Sequence, residues 1–264
     1  MLTAVVLELT AVKAPRLPAS HGAMAYAAAL DLILRQDASL ARDLHDQEGP
    51  KPLKVGALQG EMVLAGRERV LEVGESCFWR LAALEARTAS LLAGLSSGGG
   101  VRIGEGVFEI SAVHRTSSEH PAAGQSSYEE LTQAYCGTAR LPATVTLEFL
   151  TPTTFRAGTM EQPFPIPSLV FQSLGRQWGR WSNLALPVEE EALKNGISLG
   201  NWQGETRRVE LGGRRTVGFV GRYTYRLPKA MPEAVRAACI LGKYAFYAGV
   251  GWQTAHGMGQ VRCL

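Results

Sequence analysis

Hydrophobic residues follow two spacings in the first half of the chain, and each spacing predicts a different element. Residues 2–12 alternate well enough between apolar and polar side chains to predict a β-strand, although positions 4–7 are all apolar. After a loop with two prolines, apolar residues recur every three to four positions, which predicts a helix from Ser20 with Ser20 as its cap. The pattern then predicts, in order, a helix over 38–46, strands over 52–59 and 69–80, a helix over 80–95 and a strand over 101–114.

The second half repeats this order of elements after a polar stretch at 115–140, which we predict to be a linker or loop. The elements predicted after it are a strand over 143–150, a helix over 168–182, strands over 206–211 and 215–227, a helix over 232–248 and a strand over 259–264. Each half thus has the order of a ferredoxin-like βαββαβ domain. We predict an α+β protein with two tandem ferredoxin-like (RRM-like) domains, residues 1–138 and 139–264, although the halves share no sequence repeat.

Composition agrees with a globular protein and argues against several other classes. With 46% hydrophobic and 19% charged residues over 264 positions, the chain can form a substantial core. No apolar run is long enough to cross a bilayer, and the N-terminus resembles a strand rather than a signal peptide, so we expect a cytoplasmic protein without membrane contact. The four cysteines form no C-x-x-C pair, and none lies two to five residues from a histidine. We therefore expect no metal site, no disulfide framework and no cofactor.

The two halves differ in charge. Residues 1–138 contain 12 Lys and Arg against 16 Asp and Glu, whereas residues 139–264 contain 15 against 8. An excess of basic residues in one region favours a polyanionic partner such as a nucleic acid. A basic surface that only faces solvent is the alternative, and charge alone does not exclude it.

A glycine-rich segment at 248–262 is the most distinctive local pattern. Gly249-Val250-Gly251 is followed, after five residues, by Gly257-Met258-Gly259. Such pairs indicate backbone with unusual dihedral angles or in close contact with another group. Because the segment follows a predicted helix and lacks G-K-[ST], it fits neither a dinucleotide-binding nor a nucleoside-triphosphate loop. Two interpretations stay open: a helix cap followed by a tight turn, or contact with a nucleic acid through Trp252, Gln253, Thr254 and His256.

The spacing of these glycines resembles the C-terminal signature of the CRISPR repeat-processing endoribonucleases of the RAMP superfamily. Three other stretches are similar to segments of that family, in the same order. Residues 17–59 resemble its opening helix, its Leu-His pair and the strand after it. PIPSLVFQSLGRQWGRW at 165–181 resembles the Pro-x-Pro segment and helix of its second domain, and VGFVGRYTYRL at 217–227 resembles the strand before its last helix. The resemblance therefore reaches both halves, although residues 60–145 show none.

This resemblance implies a partner and a reaction. The partner is CRISPR repeat RNA, typically a stem-loop, which the family cuts in precursor CRISPR RNA on the 3′ side of the hairpin. The implied reaction needs no metal: the 2′-hydroxyl attacks the adjacent phosphate and yields a 2′,3′-cyclic phosphate and a 5′-hydroxyl. It requires a base, an acid and a cation near the phosphate, and histidine suits the first two roles because its pKa is about 6.5. Subunits of a CRISPR effector complex are candidate further partners.

The resemblance also points to catalytic residues. It places the histidine at His45, in Leu44-His45-Asp46, and makes Tyr26 on the preceding helix a further candidate. Lys51 and Lys54 follow soon after His45 in the sequence, and either could neutralise the phosphate, although judged alone both fit ordinary surface lysines. Taken alone, the sequence favours a surface histidine at a helix C-terminus for His45, and the resemblance reverses that preference. His21 is the reserve catalyst, because a helix N-terminus attracts phosphate and lowers the pKa of a histidine. His114 lies in an H-x-T motif, but the two-histidine phosphoesterases need a second such motif, and the sequence has none.

Contacts to RNA are expected mainly from the second half. Four arginines flank a Gly212-Gly213 turn on a predicted hairpin: Arg207, Arg208, Arg214 and Arg215. The glycine-rich segment is expected to add Gly249, Gly251, Gln253, His256, Gly257 and Gly259. Three functions are weighed on this basis: a repeat-specific endoribonuclease, a non-catalytic RNA-binding subunit of the same superfamily in an effector complex, and a ferredoxin-like interaction protein without an RNA partner.

Overall fold

The computed structural model describes residues 1–65, 68–136, 140–188, 190–211 and 213–264. Contacts within the backbone divide the chain into two units. Unit 1 consists of Met1–Gln125, Glu210–Arg214 and Ala255–Gly257, and unit 2 consists of Ser126–Val209, Arg215–Thr254 and Met258–Leu264. The domain boundary predicted at 138/139 lies outside the described residues.

Unit 1 is built on an antiparallel sheet. Its elements, in chain order, are β1 (Leu2–Lys13), β2 (Arg16–Pro18), α1 (Gly22–Leu34), α2 (Ala38–Asp46), β3 (Leu53–Val55), β4 (Val63–Ala65), β5 (Glu68–Val70), β6 (Ser76–Ala83), α3 (Ala86–Ala93), β7 (Gly100–Ile103), β8 (Gly106–His114) and β9 (Gly124–Ser126). The main sheet has the order β3-β6-β1-β8-β7, with β9 paired to β1, and β2, β5 and β4 form a small separate sheet. Counting β1, β3, β6 and β8 as the strands of one βαββαβ motif gives the order 2-3-1-4.

Alternation along β1 builds the core of unit 1. Val5, Leu7 and Leu9 are fully buried in one hydrophobic cluster with residues of α1, α2 and α3. Burying a side chain of this size stabilises the fold by about 1.5–3 kcal/mol relative to leaving it exposed. The intervening position Glu8 is only half-buried, so it marks the opposite face of the sheet.

Unit 2 repeats the motif. Its elements are α4 (Tyr128–Gln133), β10 (Thr144–Thr153), β11 (Phe155–Ala157), β12 (Met160–Gln162), α5 (Pro167–Trp181), α6 (Glu190–Gly196), β13 (Ser198–Leu211), β14 (Arg214–Arg226), α7 (Pro232–Ala248) and β15 (Val261–Cys263). The sheet order β13-β14-β10-β15 is again 2-3-1-4 in the numbering of the motif, while β11 and β12 form a separate hairpin. Two domains with one strand order confirm the predicted tandem ferredoxin-like architecture.

Several predicted elements have the expected bounds. The helices predicted over 38–46 and 232–248 are α2 and α7 without any shift, and α5 differs from its prediction by one residue at each end. Two details were wrong. Helix α1 begins at Gly22 with His21, not Ser20, in the N-cap position. Residues 80–83 extend β6 instead of starting a helix, because they pair with β1 and are largely buried.

Three other segments differ from the predicted elements. The strand predicted over 101–114 is the hairpin β7–β8, which turns at Gly104 with φ +58°. The stretch at 115–140 contains β9 and α4, and α4 begins with a capping box in which Ser127 and Glu130 bond each other's backbone N–H. Among the described residues, no helix is long and apolar enough to cross a membrane.

Candidate active site

Helix α2 presents His45 at its C-terminal end. The helix starts at Asp37, whose carboxylate accepts a hydrogen bond from the Leu40 backbone N–H at 2.9 Å. Leu40, Ala41 and Leu44 are buried, so the opposite face of α2 is turned outward. His45 lies on that outward face in the last turn of the helix and is exposed. Its imidazole is therefore accessible to a large ligand.

Two polar side chains converge on the backbone carbonyls at this helix end. Lys51 Nζ donates hydrogen bonds to the Leu44 carbonyl at 3.0 Å and to the His45 carbonyl at 2.8 Å. The Tyr26 hydroxyl on α1 donates to the same Leu44 carbonyl at 3.2 Å. The last carbonyls of a helix have no partner within the helix, so these two donors satisfy groups that would otherwise be left unpaired. Tyr26 and Lys51 thereby fix the backbone that carries His45.

The glycine-rich segment brings a second histidine to Tyr26. The His256 ring meets the Tyr26 ring edge to face, with centroids 5.0 Å apart. The His256 carbonyl lies so close to α1 that a Cβ on Gly22 would be 1.8 Å from its oxygen. Gly257 has φ +86°, and a Cβ there would approach the Ala57 nitrogen to 3.2 Å. This part of the segment packs on backbone of unit 1, which explains why glycine is required.

Burial sets the proton affinity of these side chains. It raises the pKa of Tyr26 to about 12, so the phenol keeps its proton and donates at neutral pH. It lowers the pKa of Lys51, an effect that the negative charge of Asp46 opposes. It also lowers the pKa of His256, and the positive charge of Lys51 lowers that pKa further. At neutral pH, His256 is therefore an uncharged imidazole beside a cation.

His21, the reserve catalyst, has both ring nitrogens engaged inside unit 1. Nδ1 lies 2.9 Å from the Pro18 carbonyl, and Nε2 accepts a hydrogen bond from the Leu58 backbone N–H at 2.8 Å. An acceptor at Nε2 requires the proton on Nδ1, which fixes one neutral tautomer. His21 is 1% exposed, and its burial lowers the pKa, although the Pro18 bond opposes this shift. This geometry favours a structural role for His21.

The other glycines of the segment pack against backbone oxygens of unit 2. A Cβ would lie 2.8 Å from the Gly259 oxygen at Gly249, 2.4 Å from the Thr154 oxygen at Gly251 and 2.1 Å from the Val250 oxygen at Gly259. The Val250 N–H donates to the Gly259 carbonyl at 2.8 Å, which joins the two glycine pairs. Gln253 between them has φ +58°, a rare value for a residue with a side chain. The sequence predicted that these glycines lie close to another group, and in the structure that group is the protein's own backbone.

The four hairpin arginines are exposed on β13 and β14. Arg207 pairs with Glu205 at 2.8 Å, and because both side chains are more than half exposed, this ion pair contributes little stability. Arg208 and Arg215 line a cleft of about 390 Å³, together with Glu161, Pro163, Thr216 and Val217. Gly212 of the predicted turn lies outside the described residues. The predicted hairpin is present, and its arginines face solvent.

Lys54 and a second histidine cluster show where sequence reasoning fell short. Lys54 on β3 is 4% exposed, and burial lowers its pKa to about 7, so Lys51 is the better candidate to meet a phosphate. His114 Nε2 lies 3.5 Å from Glu8 Oε2, and the His114 and His120 ring centroids are 5.9 Å apart. Alternation along β1 and β8 could have placed Glu8 and His114 on one face of the sheet. Among the residues described, no three His, Cys, Asp or Glu side chains are grouped to hold a metal ion.

Comparison with known proteins points to one family. Residues 147–261 match the family model described as CRISPR-associated endoribonuclease Cas6. A curated CRISPR-associated endoribonuclease Cas6 from Streptococcus thermophilus is 29% identical over 119 residues, which are 43% of this chain and 48% of the relative. The chain thus matches about half the length of that relative.

Solved structures match along the whole chain. A Cas6 product complex is 30% identical with a TM-score of 0.77, and the match covers 100% of this chain and 99% of that chain. A second product complex, of Thermus thermophilus Cas6, is 27% identical with a TM-score of 0.81, and the match covers 100% of this chain and 100% of that chain. Two tandem ferredoxin-like domains with these neighbours define a RAMP-type protein.

Within that class, the chain belongs to the family of CRISPR-associated Cas6 endoribonucleases, because a 30% identical member matches it from end to end. The resemblance predicted from four sequence segments is thereby confirmed.

Proposed function

We propose that the protein binds CRISPR repeat RNA and cleaves precursor CRISPR RNA within its repeats to give guide RNAs. The observation that carries this proposal is the end of α2, where His45 is exposed and its backbone is held by Lys51 and Tyr26. Membership of the Cas6 family supports it, as do relatives solved as product and substrate-mimic complexes. The exposed arginines of β13 and β14 support a polyanionic partner.

In the proposed reaction the nucleophile comes from the RNA. The 2′-hydroxyl attacks the adjacent phosphorus, a bond forms from O2′ to phosphorus, and the bond from phosphorus to O5′ breaks. A base takes the proton of the 2′-hydroxyl and an acid supplies one to O5′, so the products are a 2′,3′-cyclic phosphate and a 5′-hydroxyl. No water is activated in this step, so proton transfer by a histidine is sufficient and a metal ion is not required.

We assign three roles at the end of α2. His45 moves a proton in the attack or in the departure of O5′, because its exposed imidazole can reach RNA. Lys51, whose ammonium group lies 2.8 Å from the His45 carbonyl, places a positive charge where the phosphate gains negative charge. Tyr26 is a positioning residue, because its hydroxyl is bonded to the Leu44 carbonyl.

The predicted arginines and the other two predicted histidines are assigned to RNA contact or to structure. We propose that Arg208 and Arg215 bind phosphates of the repeat stem-loop, with Arg214 and the Glu205-paired Arg207 beside them. His256 is proposed to contact RNA next to Lys51. His21 is left with a structural role, because neither ring nitrogen is available to RNA.

Single-turnover cleavage of the protein's own repeat RNA tests the proposal. The wild type should cut the repeat at the same rate with and without EDTA and leave a 2′,3′-cyclic phosphate and a 5′-hydroxyl. His45→Ala should cleave about 10²–10⁴-fold more slowly, the usual contribution of general acid–base catalysis, and should still bind the RNA. His114→Ala, on the opposite face of the unit 1 sheet, is the matched histidine control and should cleave at the wild-type rate.

The same assay separates the alternative, a non-catalytic RNA-binding subunit of a CRISPR effector complex. That protein would bind the repeat with a strong salt dependence and leave it uncut. A wild type that binds but does not cleave, or a normal rate for His45→Ala, would remove the proposed mechanism.

A further inference from the structure

Unit 2 contains an apolar groove that none of the proposed catalytic residues lines. The groove has a volume of about 710 Å³ and is walled by residues 163–167 on one side and by β13 on the other. Phe219 and Tyr223 of β14 contribute buried rings to it. Two large aromatic side chains at the groove are exposed to solvent, Phe164 at 59% and Trp202 at 64%. Contiguous exposed apolar surface beside a groove is typical of a binding site.

The groove continues into the cleft that holds the hairpin arginines. Pro163 lines both, so the apolar groove and the cleft of Arg208 and Arg215 share a wall. Along β13 the even-numbered positions point to one face, and they change from Trp202 to Arg208 in six residues, about 20 Å at about 3.3 Å per residue. One strand face therefore presents an aromatic plane and then a cation.

This combination fits one class of ligand. A nucleotide has a planar base that stacks on an aromatic ring and a phosphate that binds arginine. The one carboxylate lining the apolar groove, Glu205, is paired with Arg207 at 2.8 Å, which offsets its repulsion of a phosphate. Glu161 lines the adjacent cleft, where it accepts a hydrogen bond from the Thr216 hydroxyl and its single charge is outnumbered by those of Arg208 and Arg215. A protein partner would use the apolar surface but would have no need of the adjacent arginine pair.

We propose that this groove binds an unpaired stretch of the repeat RNA, with one base stacked on Trp202 or Phe164 and a phosphate a few nucleotides away on Arg208 and Arg215. The inference rests on the proposed function and adds to it a contact with single-stranded RNA beside the stem-loop. Such a contact selects repeats that have an unpaired nucleotide at a fixed distance from the stem.

A binding study with modified repeat RNAs tests the proposal. One nucleotide at a time is replaced by an abasic residue in the unpaired flanks of the repeat, and the Kd is measured for the wild type, Trp202→Ala, Trp202→Phe and Phe164→Ala. One unpaired position should weaken wild-type binding about 5- to 150-fold when its base is removed, the range expected for a base stacked on an aromatic ring. Trp202→Ala or Phe164→Ala should weaken binding of the intact repeat to a similar extent.

The decisive result is the coupling between the two changes. In Trp202→Ala or Phe164→Ala, removing the same base should raise the Kd by less than about twofold, because the base has already lost its stacking partner. Trp202→Phe should retain most of the affinity. Val73→Ala, which changes a residue of unit 1 that is also 64% exposed, is the control and should behave as wild type.

Three outcomes would overturn the inference, and they can be told apart. If the wild type binds and cleaves the repeat but both aromatic variants match Val73→Ala, the groove does not hold RNA and the proposed function stands. A change of oligomeric state in these variants at unaltered RNA affinity would likewise assign the groove to a protein contact. If the wild type does not bind repeat RNA, the proposed function and the groove assignment fall together.

Discussion

The two units share one strand order and differ in what that framework carries. All five histidines of the chain lie in unit 1, and unit 2 has none. Unit 2 instead presents an exposed tryptophan, Trp202, and two exposed arginines, Arg207 and Arg208, along β13. The second strand of the motif shows the divergence most clearly: β3 has three buried residues, whereas β13 has 14 and is exposed over most of its length.

This difference teaches that the βαββαβ framework constrains the core and leaves the other positions free. The same order of strands can place proton-transfer groups at a helix end in one copy and a basic, aromatic strand in the other. The central claim is therefore a division of labour, in which catalytic residues lie in unit 1 and most of the residues that bind RNA lie in unit 2. The variants below break or sharpen that comparison.

The largest expected effect is on folding of unit 2. Gly259→Val should lower the free energy of unfolding by about 2–6 kcal/mol, because φ +68° is strained for valine and its Cβ would lie 2.1 Å from the Val250 oxygen. Gly98→Val, at φ +87° with open space around it, has only the strain and should lose about 1–3 kcal/mol. Urea denaturation compares the two, and equal losses would show that the close backbone contact at Gly259 is unimportant.

His21→Ala tests whether a unit 1 histidine is structural or catalytic. The substitution leaves the buried Leu58 N–H and the partly buried Pro18 carbonyl without their His21 partner, so we expect a loss of about 2–4 kcal/mol in stability. Cleavage per folded molecule should stay within about threefold of wild type, since no proton carrier is lost. A stable variant with a collapsed cleavage rate would move the active site to His21.

The same histidine predicts a pH dependence of stability. Burial lowers the pKa of His21 in the folded protein, whereas the unfolded chain takes up a proton near pH 6.5. Below that pH the unfolded state binds more protons, so stability should fall as pH drops from about 7 to 5 and be fully present above it. Urea midpoints across this range should show a shallower acid loss in His21→Ala than in wild type.

Removing the hairpin arginines should lower the affinity for repeat RNA and leave the cleavage rate of the bound RNA unchanged. Replacing Arg207, Arg208, Arg214 and Arg215 by Ala should weaken repeat binding about 10- to 100-fold and reduce the slope of log K against log salt by up to about 3. Arg207, already paired with Glu205, should contribute least. The control removes four exposed charges from unit 1, Lys13, Arg16, Arg35 and Arg102, and an equal effect there would mean that only net charge matters.

Tyr26→Phe should give the smallest effect. It removes one hydrogen bond to the Leu44 carbonyl, which keeps its bond from Lys51, so stability should fall by about 0.5–1.5 kcal/mol. The cleavage rate should change less than about tenfold if Tyr26 only positions the helix end. A loss of about 10²–10⁴-fold would instead make its phenol a proton carrier.

Sequence reasoning predicted the fold well where local pattern and burial agree. Helix α2 has the expected bounds and buries one face, at Leu40, Ala41 and Leu44. Helix α7 also has the expected bounds, and it begins with Pro232 and Glu233, which are favoured in a first turn. Sequence reasoning failed at residues 80–83, where Leu81 and Ala82 favour a helix but pair with β1 in the sheet. It also missed the first half of β13, because residues 201–205 are exposed and show no apolar alternation.

The candidate site could be predicted only in part. The resemblance supplied His45 and Tyr26, and Lys51 was chosen because it follows His45 closely in the sequence. Nothing in the order of residues shows that Lys51 and Tyr26 bond the same Leu44 carbonyl. The two hydrogen bonds of the His21 ring likewise follow no sequence motif: one partner, Pro18, is 3 positions away, and the other, Leu58, is 37 positions away. The sequence signal for the groove is weak: it is a single tryptophan, Trp202, in a polar segment. Only the structure shows that Phe164 lies at the same groove.

The most direct test of the division of labour is single-turnover cleavage measured as a function of protein concentration for two variants. His45→Ala should keep its half-saturating concentration within about threefold of wild type and lose about 10²–10⁴-fold in the plateau rate. The four-arginine variant should need about 10- to 100-fold more protein and then reach a plateau near that of wild type. If His45→Ala keeps the wild-type plateau, or if the arginine variant stays slow at saturation, chemistry and grip are not divided between the two units as described.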